Sequence, residues 1–495
     1  MTPWLVDRRS LLAATLALPA TAMAQTPASP ALTPASLLMP DAMQADLALL
    51  GQAYATLHPG LDRYLGHAAW ARLIAGAQRW AAQPRTAGDF YLQLSRLTAA
   101  VKCGHSYPNP NNHRRAVREG VLGGRNRVPF SFRWLGGEMV VTGGLAPGVD
   151  LPAGSIITRL DGMAPPALLR AMLPLARADG SNDAKRVAQL QVTGQDRLLA
   201  FDVLRPLLDR QAGDIVQLAW ETPDGRRRTG RLPAMTEAER AAGRGGDDAF
   251  AGWRFAIVDG VGRLTMPNWA TYDSAADWRA FLQQSVDALI ASKARGLIVD
   301  IRGNEGGEDC GDVLLARLIG APLAMPRYRN RIRYRATPAA LRPLLDTWDP
   351  QFQDWGDQAH GPDAQGWYDL VRPQDTGPQQ IAPQGPRFAG PVLVLVDAEC
   401  SSATFQFALA VQQGGVGRII GSPTGGNRRG INGGCFFFLS LPATGFEADL
   451  PVIGGFPDSP QPDAGVLPDV AVPLTAADVA MGRDPALAAA LRLLA

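Results

Sequence analysis

The sequence predicts a protein of the α/β class, because two short apolar segments have the properties of central strands in a parallel sheet. Residues 296–301 and 391–396 are apolar runs bounded by turn residues, and such runs are typical of strands covered on both faces. A glycine-rich turn and a predicted helix over 310–319 follow the first run, and a serine-rich turn and a predicted helix over 403–411 follow the second. Catalytic groups of α/β proteins lie at the carboxyl ends of such strands.

Two further parts precede these strands. Apolar residues recur at helical spacing between 41 and 100 and predict a small helical domain over 37–118. The segments 130–132, 139–141 and 153–162 have β-strand character, and a predicted helix over 165–176 follows them. We therefore expect a β-rich domain over 119–235, a linker over 236–249 and the α/β core over 250–480.

The N-terminus resembles a bacterial export signal. Asp7-Arg8-Arg9-Ser10-Leu11-Leu12 is similar to a twin-arginine motif, an apolar stretch follows it, and Ala22-Met23-Ala24 fits a signal-peptidase cleavage site. The apolar stretch is shorter than the roughly 20 residues of a membrane span. The sequence thus predicts a cleaved signal over 1–24, a linker over 25–36, and a periplasmic or secreted protein with no stable membrane span.

Composition excludes several classes of function. The 495 residues include 48 basic and 46 acidic side chains, a balance that argues against a nucleic-acid partner. No Walker loop, His-Glu-x-x-His motif or other cofactor signature is present, so we expect neither a cofactor nor a metal. The four cysteines have no zinc-type spacing, and both disulfide pairing and free buried thiols remain open. They are Cys103, Cys310, Cys400 and Cys435.

The two turns after the predicted strands contain residues suited to catalysis. The paired glycines within 300–307 leave backbone N–H groups that can stabilise an oxyanion, although a tight turn without a ligand has the same pattern. The turn over 397–404 places serines at the end of a buried strand and the start of a helix. A serine there can be a nucleophile or an ordinary helix N-cap.

Taken together, four segments resemble the S41 peptidases, the family of the tail-specific and C-terminal processing proteases and of the tricorn core. The first resembles the D-x-R-x-N-x-G-G turn of that family, and the second its serine turn, with Phe405 where the family usually has glutamate. The third and fourth resemble the T-x-G-K and G-V-x-P-D segments. The matching residues are Asp300, Arg302, Asn304, Gly306 and Gly307, then Ser402 and Ala403, then Thr424–Asn427, and finally Gly465–Val470.

This resemblance implies an exported serine endopeptidase that acts on protein or peptide substrates. It implies a ClpP/crotonase-like core and identifies the region 119–235 as a PDZ-like domain, which binds peptides by strand addition. Ser402 is then the expected nucleophile, with Ser401 as its rival. The expected oxyanion donors are the amides of Gly306, Gly307 and Ala403.

The general base requires a separate argument, because lysine is scarce. Among 48 basic residues only Lys102, Lys185 and Lys293 are lysines, and none follows Ser402. Asn427 stands where C-terminal processing members have their catalytic lysine, and an amide cannot serve as a base. A Ser–Lys dyad of that form is therefore not expected, and Lys102, reaching the site from elsewhere in the chain, is the alternative that stays open.

His105 is the predicted base. Its Gly-His-Ser context resembles the tricorn-like branch, which uses histidine. Asp463 is the predicted acid that orients it, with Glu447 and Asp449 as rivals. Asn427 and Arg428 are candidates for binding a substrate carboxylate.

Two other functions are consistent with parts of the pattern. The missing lysine and Phe405 also fit a catalytically inactive peptide-binding protein with the same fold. Acyl-CoA chemistry on a crotonase-like core is a weaker alternative, since it explains neither the PDZ-like region nor the serine turn.

Overall fold

The computed structural model describes residues 32–193, 198–209, 212–242, 250–272, 274–326, 328–373 and 380–495. The predicted signal over 1–24, and the linker over 25–36 as far as residue 31, lie outside the described residues. None of the described helices is both long enough and apolar enough to cross a bilayer.

Helices and strands alternate along the chain. The helices are α1 Pro40–Leu57, α2 Leu61–Tyr64, α3 His67–Trp80, α4 Ala87–Ala100, α5 Arg115–Gly120, α6 Pro165–Met172, α7 Asp183–Gln189, α8 Ala200–Leu208, α9 Glu237–Ala242, α10 Trp278–Ala291, α11 Cys310–Leu315, α12 Ala403–Gln413, α13 Ala476–Ala480 and α14 Pro485–Leu493. The strands are β1 Leu37–Leu38, β2 Arg85–Thr86, β3 Phe130–Leu135, β4 Glu138–Gly144, β5 Ile156–Leu160, β6 Ile215–Glu221, β7 Arg227–Pro233, β8 Arg254–Val258, β9 Val261–Thr265, β10 Gly296–Asp300, β11 Leu323–Ala324, β12 Tyr328–Ile332, β13 Leu345–Asp346, β14 Ala359–His360, β15 Tyr368–Leu370, β16 Gln380–Ile381, β17 Val392–Val396, β18 Arg418–Gly421, β19 Asn432–Leu441, β20 Phe446–Pro457 and β21 Val470–Ala471.

The predicted parallel sheet is present and has six strands in the order β21-β18-β17-β10-β9-β8. Its strands pair in parallel except β8, which pairs antiparallel with β9 at one edge. One apolar cluster covers the face that carries α10, α11 and α12, and another covers the face that carries α14. Every residue of β17 is buried, which explains why this strand has an unbroken apolar sequence.

A five-stranded antiparallel sheet, in the order β3-β4-β5-β6-β7, occupies most of the predicted β-rich region. Three of its strands lie where the sequence predicts them, and α6 begins at Pro165 as expected. β6 and β7 form a hairpin around Pro223-Asp224-Gly225, with Glu221 opposite Arg227. The arginines that follow this turn are exposed, in agreement with a solvated hairpin.

A second six-stranded sheet, in the order β13-β19-β20-β12-β15-β14, was not predicted. Its long strands β19 and β20 pair antiparallel. Burial alternates along most of β19, whereas the first nine residues of β20 are all buried. These strands lie inside the region assigned to the α/β core. That core is therefore a parallel sheet together with an antiparallel one.

The N-terminal helices do not have a core of their own. α1, α3 and α4 share one apolar cluster with the five-stranded sheet and with β19 and β20. The carboxylate of Asp46 in α1 accepts hydrogen bonds from the hydroxyl of Thr444 at 2.6 Å and from its N–H at 2.7 Å. Residues 37–118 are thus helical as predicted, but no boundary near 118 separates them from the rest of the molecule.

The predicted linker over 236–249 contains a helix that is docked by a buried ion pair. Arg240 of α9 lies 2.8 Å from the carboxylate of Asp202 in α8, and both side chains are 2% exposed. The same guanidinium donates to the carbonyl of Val128. The contact fixes α9 against the five-stranded sheet. Residues 243–249 of the predicted linker lie outside the described residues.

We expect Arg240→Ala to lower the free energy of unfolding by about 3–5 kcal/mol, because it leaves the buried Asp202 carboxylate without its partner. Urea denaturation measures this change. The matched control is Arg125→Ala, which removes an ion pair from Glu239 of the same helix, with side chains 41% and 45% exposed. Exposed pairs contribute roughly 0–1 kcal/mol. Equal losses in the two variants would contradict the prediction.

Candidate active site

The glycine-rich turn and the serine-rich turn meet at the carboxyl edge of the parallel sheet. β10 and β17 are neighbouring parallel strands, with Val299 opposite Val394, so the segments that follow them leave the sheet side by side. The N–H of Gly303 in the first turn donates to the carboxylate of Asp397 in the second at 3.1 Å. The fold therefore brings together the two segments that the sequence singled out.

Gly306 lies directly against Ser402. A Cβ atom at Gly306 would be 2.9 Å from the Cβ of Ser402 and 2.8 Å from the amide nitrogen of Ala403. Its φ of +96° also favours glycine. Gly307 is similarly confined, since a Cβ there would lie 2.3 Å from the carbonyl carbon of Trp269. The paired glycines allow the first turn to approach the serine turn.

The amides suited to bind an oxyanion are those of Gly307 and Ala403. Within the described residues neither N–H donates a hydrogen bond, and Ala403 is the first residue of α12, whose N-terminus favours negative charge. The N–H of Gly306, by contrast, donates to Oδ1 of Asn304 at 2.9 Å. Contrary to the prediction, the Gly306 amide is therefore not available to an oxyanion in this structure, and this residue instead permits close packing.

The other motif residues of the first turn hold it in place. Arg302 lies between two carboxylates, 2.6 Å from Asp300 and 2.7 Å from Asp484. Asn304 is fully buried, and its amide donates to the carbonyl of Met266 at 2.8 Å. These side chains tie the turn to α14 and to the end of β9. Their contacts account for the D-x-R-x-N pattern as a structural requirement.

Ser402 has a strained backbone conformation, with φ +52° and ψ −125°. Such conformations cost on the order of 1–3 kcal/mol and cluster at functional sites. The hydroxyl of Thr404 braces the turn by donating to the carbonyl of Ser401 at 2.7 Å and to that of Asn304 at 2.8 Å. Among the described residues, the Ser402 hydroxyl has no hydrogen-bond partner, whereas Ser401 Oγ donates to the carbonyl of Glu305 at 3.3 Å. These contacts favour Ser402 over Ser401 as the nucleophile.

His105 lies in the loop that follows α4. The preceding residue, Gly104, donates its N–H to the carboxylate of Asp179 at 2.8 Å. The ring of His105 packs against Phe436 of β19, with centroids 5.6 Å apart. One ligand atom each from Cys103, His105 and Asp179 lies within 4.8 Å of the other two. Asp179 is therefore the carboxylate that the fold places beside the predicted base.

The residues after His105 are anchored by a second histidine. The Nδ1 of His58 accepts the N–H of Gly60 at 3.0 Å, so its Nε2 carries the proton and donates to the hydroxyl of Ser106 at 2.8 Å. Burial lowers the pKa of His58 to about 3. His58 thus remains neutral and positions the loop.

Asp449, a rival for the catalytic acid, anchors the same loop further along. Its two carboxylate oxygens accept hydrogen bonds from Asn109 at 2.8 Å and from Asn112 at 2.9 Å. Burial raises its pKa to about 6. Asp449 therefore supports the His105 loop rather than His105 itself. Glu447, the other rival, is a buried residue of β20.

The electrostatic surroundings of His105 favour the neutral base. Burial lowers its pKa, while the charge of Asp179 opposes this effect. Arg177 connects the histidine to the glycine turn: its guanidinium donates to the carbonyl of Gly104 and lies 3.8 Å from the carboxylate of Glu305. No hydrogen bond joins His105 to Ser402 in the described structure. Arg177 thus links the His105 loop to the glycine turn that packs against Ser402, but His105 and Ser402 do not form an aligned pair.

Asp463 is not placed to orient His105. Its carboxylate accepts hydrogen bonds from the Asn427 amide at 2.7 Å, the Ser181 N–H at 3.0 Å and the Tyr64 hydroxyl at 3.3 Å. Asn427 is itself fully buried, so it is not accessible to a substrate. Both residues depart from their predicted roles, because together they fix the loop over 424–430 to the segment that contains Asp179.

Arg428 stays a candidate for substrate binding. Its side chain is half-buried, and the guanidinium donates to Oε1 of Gln461 at 3.1 Å. The third motif is otherwise structural, since the hydroxyl of Thr424 accepts the N–H of Val466 at 2.8 Å. Phe405 is buried beneath this turn, where a Cβ at Gly426 would lie 2.3 Å from its ring. The apolar residue at position 405 therefore fills a packing site.

Sequence reasoning overlooked Lys185, the one lysine that reaches the serine turn among the described residues. It lies in α7, is 3% exposed, and forms an ion pair with Glu305 of the glycine turn. Its ammonium also donates to the carbonyl of Glu399 at 3.0 Å. Lys185 is one of only three lysines in the sequence, but none of its sequence neighbours indicates a role at the site. Its position, however, depends on long-range packing that no local pattern reveals.

The Glu399 carboxyl provides a pH-dependent contribution to stability. Burial, together with the nearby Asp397, raises its pKa from 4.5 to about 8. The unfolded chain therefore loses this proton at lower pH than the folded protein does. It follows that the contribution of Glu399 to stability falls as pH rises from about 4.5 to about 8.

We expect Glu399→Gln to raise the melting temperature at pH 8 and to change it little at pH 5, because the neutral amide removes the ionisation penalty. Thermal unfolding followed by circular dichroism at both pH values measures this difference. Glu138→Gln, a substitution at an exposed position of β4, is the control. Equal effects of Glu399→Gln at the two pH values would show that the carboxyl does not titrate as described.

All four cysteines are free thiols and are buried. The question of disulfide pairing, which the sequence left open, is therefore answered in favour of unpaired cysteines. Cys103 lies beside His105, whereas Cys310 begins α11 in the apolar cluster of the parallel sheet. Burial raises the pKa of both thiols.

Comparison with known proteins agrees with this geometry. Residues 260–432 match the family described as peptidase family S41, and this segment contains the glycine-rich turn, the serine-rich turn and the Thr424–Asn427 turn. No curated protein sequence matches the chain significantly.

Solved structures extend the likeness beyond the matched segment. Mature CPAF complexed with lactacystin is 13% identical, with a TM-score of 0.62, and the alignment covers 92% of this chain and 98% of that chain. A structure of mature CPAF alone is 14% identical, with a TM-score of 0.59, covering 89% and 94%. The photosystem II D1 C-terminal processing protease is 16% identical, with a TM-score of 0.41, covering 87% of this chain and 93% of that chain. At these identities the likeness to CPAF shows the fold alone.

Proposed function

We propose that this chain, which belongs to peptidase family S41 and is a serine peptidase, forms an acyl-enzyme at Ser402 with His105 as the general base. Protein or peptide substrates follow from the family. The observation that carries the assignment is the strained Ser402 at the start of α12, packed against Gly306 and next to two amides with no hydrogen-bond partner among the described residues.

Each of these residues has a separate role in the proposed reaction. The Ser402 oxygen attacks the scissile carbonyl while His105 takes its proton, and the amides of Gly307 and Ala403 stabilise the oxyanion. When the tetrahedral intermediate collapses, His105 returns the proton to the leaving amine. A water molecule, activated by the same imidazole, then hydrolyses the ester. Since Ser402 and His105 are not hydrogen-bonded in this structure, substrate binding must bring them into reach, as in other enzymes whose catalytic contacts tighten on binding.

Asp179 supports His105 in this proposal. A carboxylate beside the imidazole stabilises the imidazolium that forms when the base takes the serine proton. Asp179 is buried and lies beside His105, whereas the hydrogen bonds of Asp463 go to other residues. We therefore assign the supporting role to Asp179 in place of Asp463.

The five-stranded sheet is the proposed PDZ-like module for binding substrate. Its edge strands are β3 and β7, and β7 is largely exposed, with unpaired backbone groups along its outer side. An extended peptide can add to such an edge through main-chain hydrogen bonds. Export to the periplasm or beyond, inferred from the N-terminal signal, belongs to the same proposal.

An inactive peptide-binding protein is the second candidate. Two observations favour this candidate: the Gly306 amide donates to Asn304, and no hydrogen bond joins Ser402 to His105 within the described structure.

A serine-directed fluorophosphonate probe distinguishes the peptidase from the inactive binding protein. We expect covalent labelling at Ser402, located by peptide mass spectrometry, together with cleavage of an unfolded protein such as reduced casein. Absence of both results would exclude the peptidase mechanism and support the binding protein.

A further inference from the structure

Three side chains beside the proposed base have donor atoms of three different kinds. Cys103 and His105 come from the loop after α4, and Asp179 comes from the segment that precedes α7. One ligand atom from each lies within 4.8 Å of the others. The 2.8 Å hydrogen bond from the Gly104 N–H to Asp179 fixes the two segments relative to each other. This hydrogen bond therefore holds the Asp179 carboxylate next to the loop that carries Cys103 and His105.

His105 also has an unused ligand position. Its Nδ1 is buried and has no hydrogen-bond partner among the described residues. The other loop histidine, His58, has a partner for each ring nitrogen. A buried polar atom without a partner costs roughly 1–3 kcal/mol, and binding a ligand removes that cost.

We propose that Cys103, His105 and Asp179 bind a single zinc-like divalent cation, and that this cation inhibits the peptidase. The donor set is one sulfur, one nitrogen and one oxygen, which suits zinc and excludes the hard cations calcium and magnesium. On binding, the metal–sulfur bond forms and the thiol proton of Cys103 passes to solvent. The thiolate and the carboxylate then neutralise the two charges of the cation, as a buried site requires.

The dimensions of the cluster are compatible with this site. Zinc–sulfur and zinc–nitrogen bonds of about 2.3 and 2.0 Å place tetrahedral ligand atoms roughly 3.5 Å apart. Ligand atoms within 4.8 Å of one another therefore need to approach by about 1 Å, which side-chain rotation supplies. Cys103 and Asp179 are buried and His105 is partly exposed, so the cation enters from the histidine side. A water molecule or substrate group completes the fourth position.

Inhibition is expected because His105 is both a ligand of the cation and the proposed general base. This step rests on the proposed function. A metal on one ring nitrogen leaves the proton on the other nitrogen, so the imidazole can no longer accept a proton from Ser402. The cation is therefore a reversible inhibitor that competes for the base. Removing it with a chelator restores the free histidine.

Zinc binding to the purified full chain tests the site independently of catalysis. After chelator treatment, we expect equilibrium dialysis to show one tightly bound zinc ion in the wild type, in Ser402→Ala and in the control Cys310→Ala. Cys103→Ala and Asp179→Asn should each bind at least tenfold more weakly. With cobalt as the probe, a thiolate-to-cobalt charge-transfer band should appear in the wild type and in Cys310→Ala but not in Cys103→Ala. Circular dichroism confirms that each variant is folded.

Activity measurements then test inhibition. Each variant is compared with itself before and after zinc is added, so its absolute rate does not matter. We expect zinc to reduce hydrolysis in the wild type and in Cys310→Ala in proportion to occupancy, and to have no such effect in Cys103→Ala. Wild-type binding retained by Cys103→Ala, or no binding by the wild type, would overturn the site. Stoichiometric zinc binding by a wild type that lacks peptidase activity would support the site and reject the proposed function.

Discussion

Replacing Ser402 by alanine is expected to lower kcat for peptide hydrolysis by about 10⁴-fold or more, since removal of a nucleophile leaves only the contribution of binding and the oxyanion amides. KM should change little, because the hydroxyl contributes little to substrate binding in the ground state. Steady-state hydrolysis of an unfolded protein or a fluorogenic peptide measures both constants. The alanine also removes the only atom that a fluorophosphonate can modify at this position.

Ser401→Ala is the matched control for Ser402→Ala. This substitution deletes the hydroxyl of the adjacent residue. Within the described residues that hydroxyl makes one hydrogen bond, to the carbonyl of Glu305, and the bond is 3.3 Å long. We expect kcat within about tenfold of the wild type, because a hydrogen bond of this kind contributes only about 0.5–1.5 kcal/mol. If Ser401→Ala abolished turnover and labelling while Ser402→Ala retained them, the nucleophile would be Ser401 and the argument from backbone strain would be incorrect.

The segments that carry the site were predictable because their signals are local. β10 and β17 are central strands covered on both faces, so their sequences are apolar throughout most of their length. Each ends in a turn whose residues have restricted geometry. Gly306 is required by contact with Ser402, and α12 begins immediately after the serine. In the structure the two strands are parallel neighbours, which places their carboxyl ends, and the turns that follow them, at one edge of the sheet.

The partners of those turns were not predictable, because they depend on contacts between distant parts of the chain. Asp179 has no motif of its own, and it reaches His105 only because Gly104 donates to it across 75 positions of sequence. Lys185 approaches the serine turn from α7 in the same way. The sequence also gave no indication that the Gly306 amide donates to Asn304, since that depends on the side-chain conformation of the asparagine.

Long-range packing also explains the error about Asp463. Its position before the Gly465–Val470 segment suggested the acid that orients His105. In the folded chain, however, Asn427, which stands where C-terminal processing members have a lysine, donates to Asp463 at 2.7 Å. A hydrogen bond from a neutral amide to the Asp463 carboxylate therefore stands where a lysine was expected. Both differences from the expected site, the missing lysine and the different acid, therefore depend on the asparagine at position 427.

His105→Gln is expected to lower kcat by about 10³–10⁴-fold, because general acid–base catalysis contributes up to that range and an amide cannot accept the serine proton. Fluorophosphonate labelling of Ser402 should slow by a similar factor, since it also requires an activated hydroxyl. In the wild type the neutral imidazole is the active form. Because burial lowers the pKa of His105, the fall of kcat/KM in acid should occur below the range of an ordinary histidine.

Asp179→Asn and Asp463→Asn identify the acid that acts on this histidine. Asp179 raises the pKa of His105, so Asp179→Asn should shift the acid limb of the kcat/KM profile to still lower pH. It should also lower kcat by about 10–100-fold, because the imidazolium loses its counter-charge. Asp463→Asn should leave the acid limb where it is, since the carboxylate of Asp463 bonds to Asn427, Ser181 and Tyr64. A shift caused by Asp463→Asn, and none by Asp179→Asn, would return the supporting role to Asp463. It would also mean that the loop over 424–430 rearranges when substrate binds.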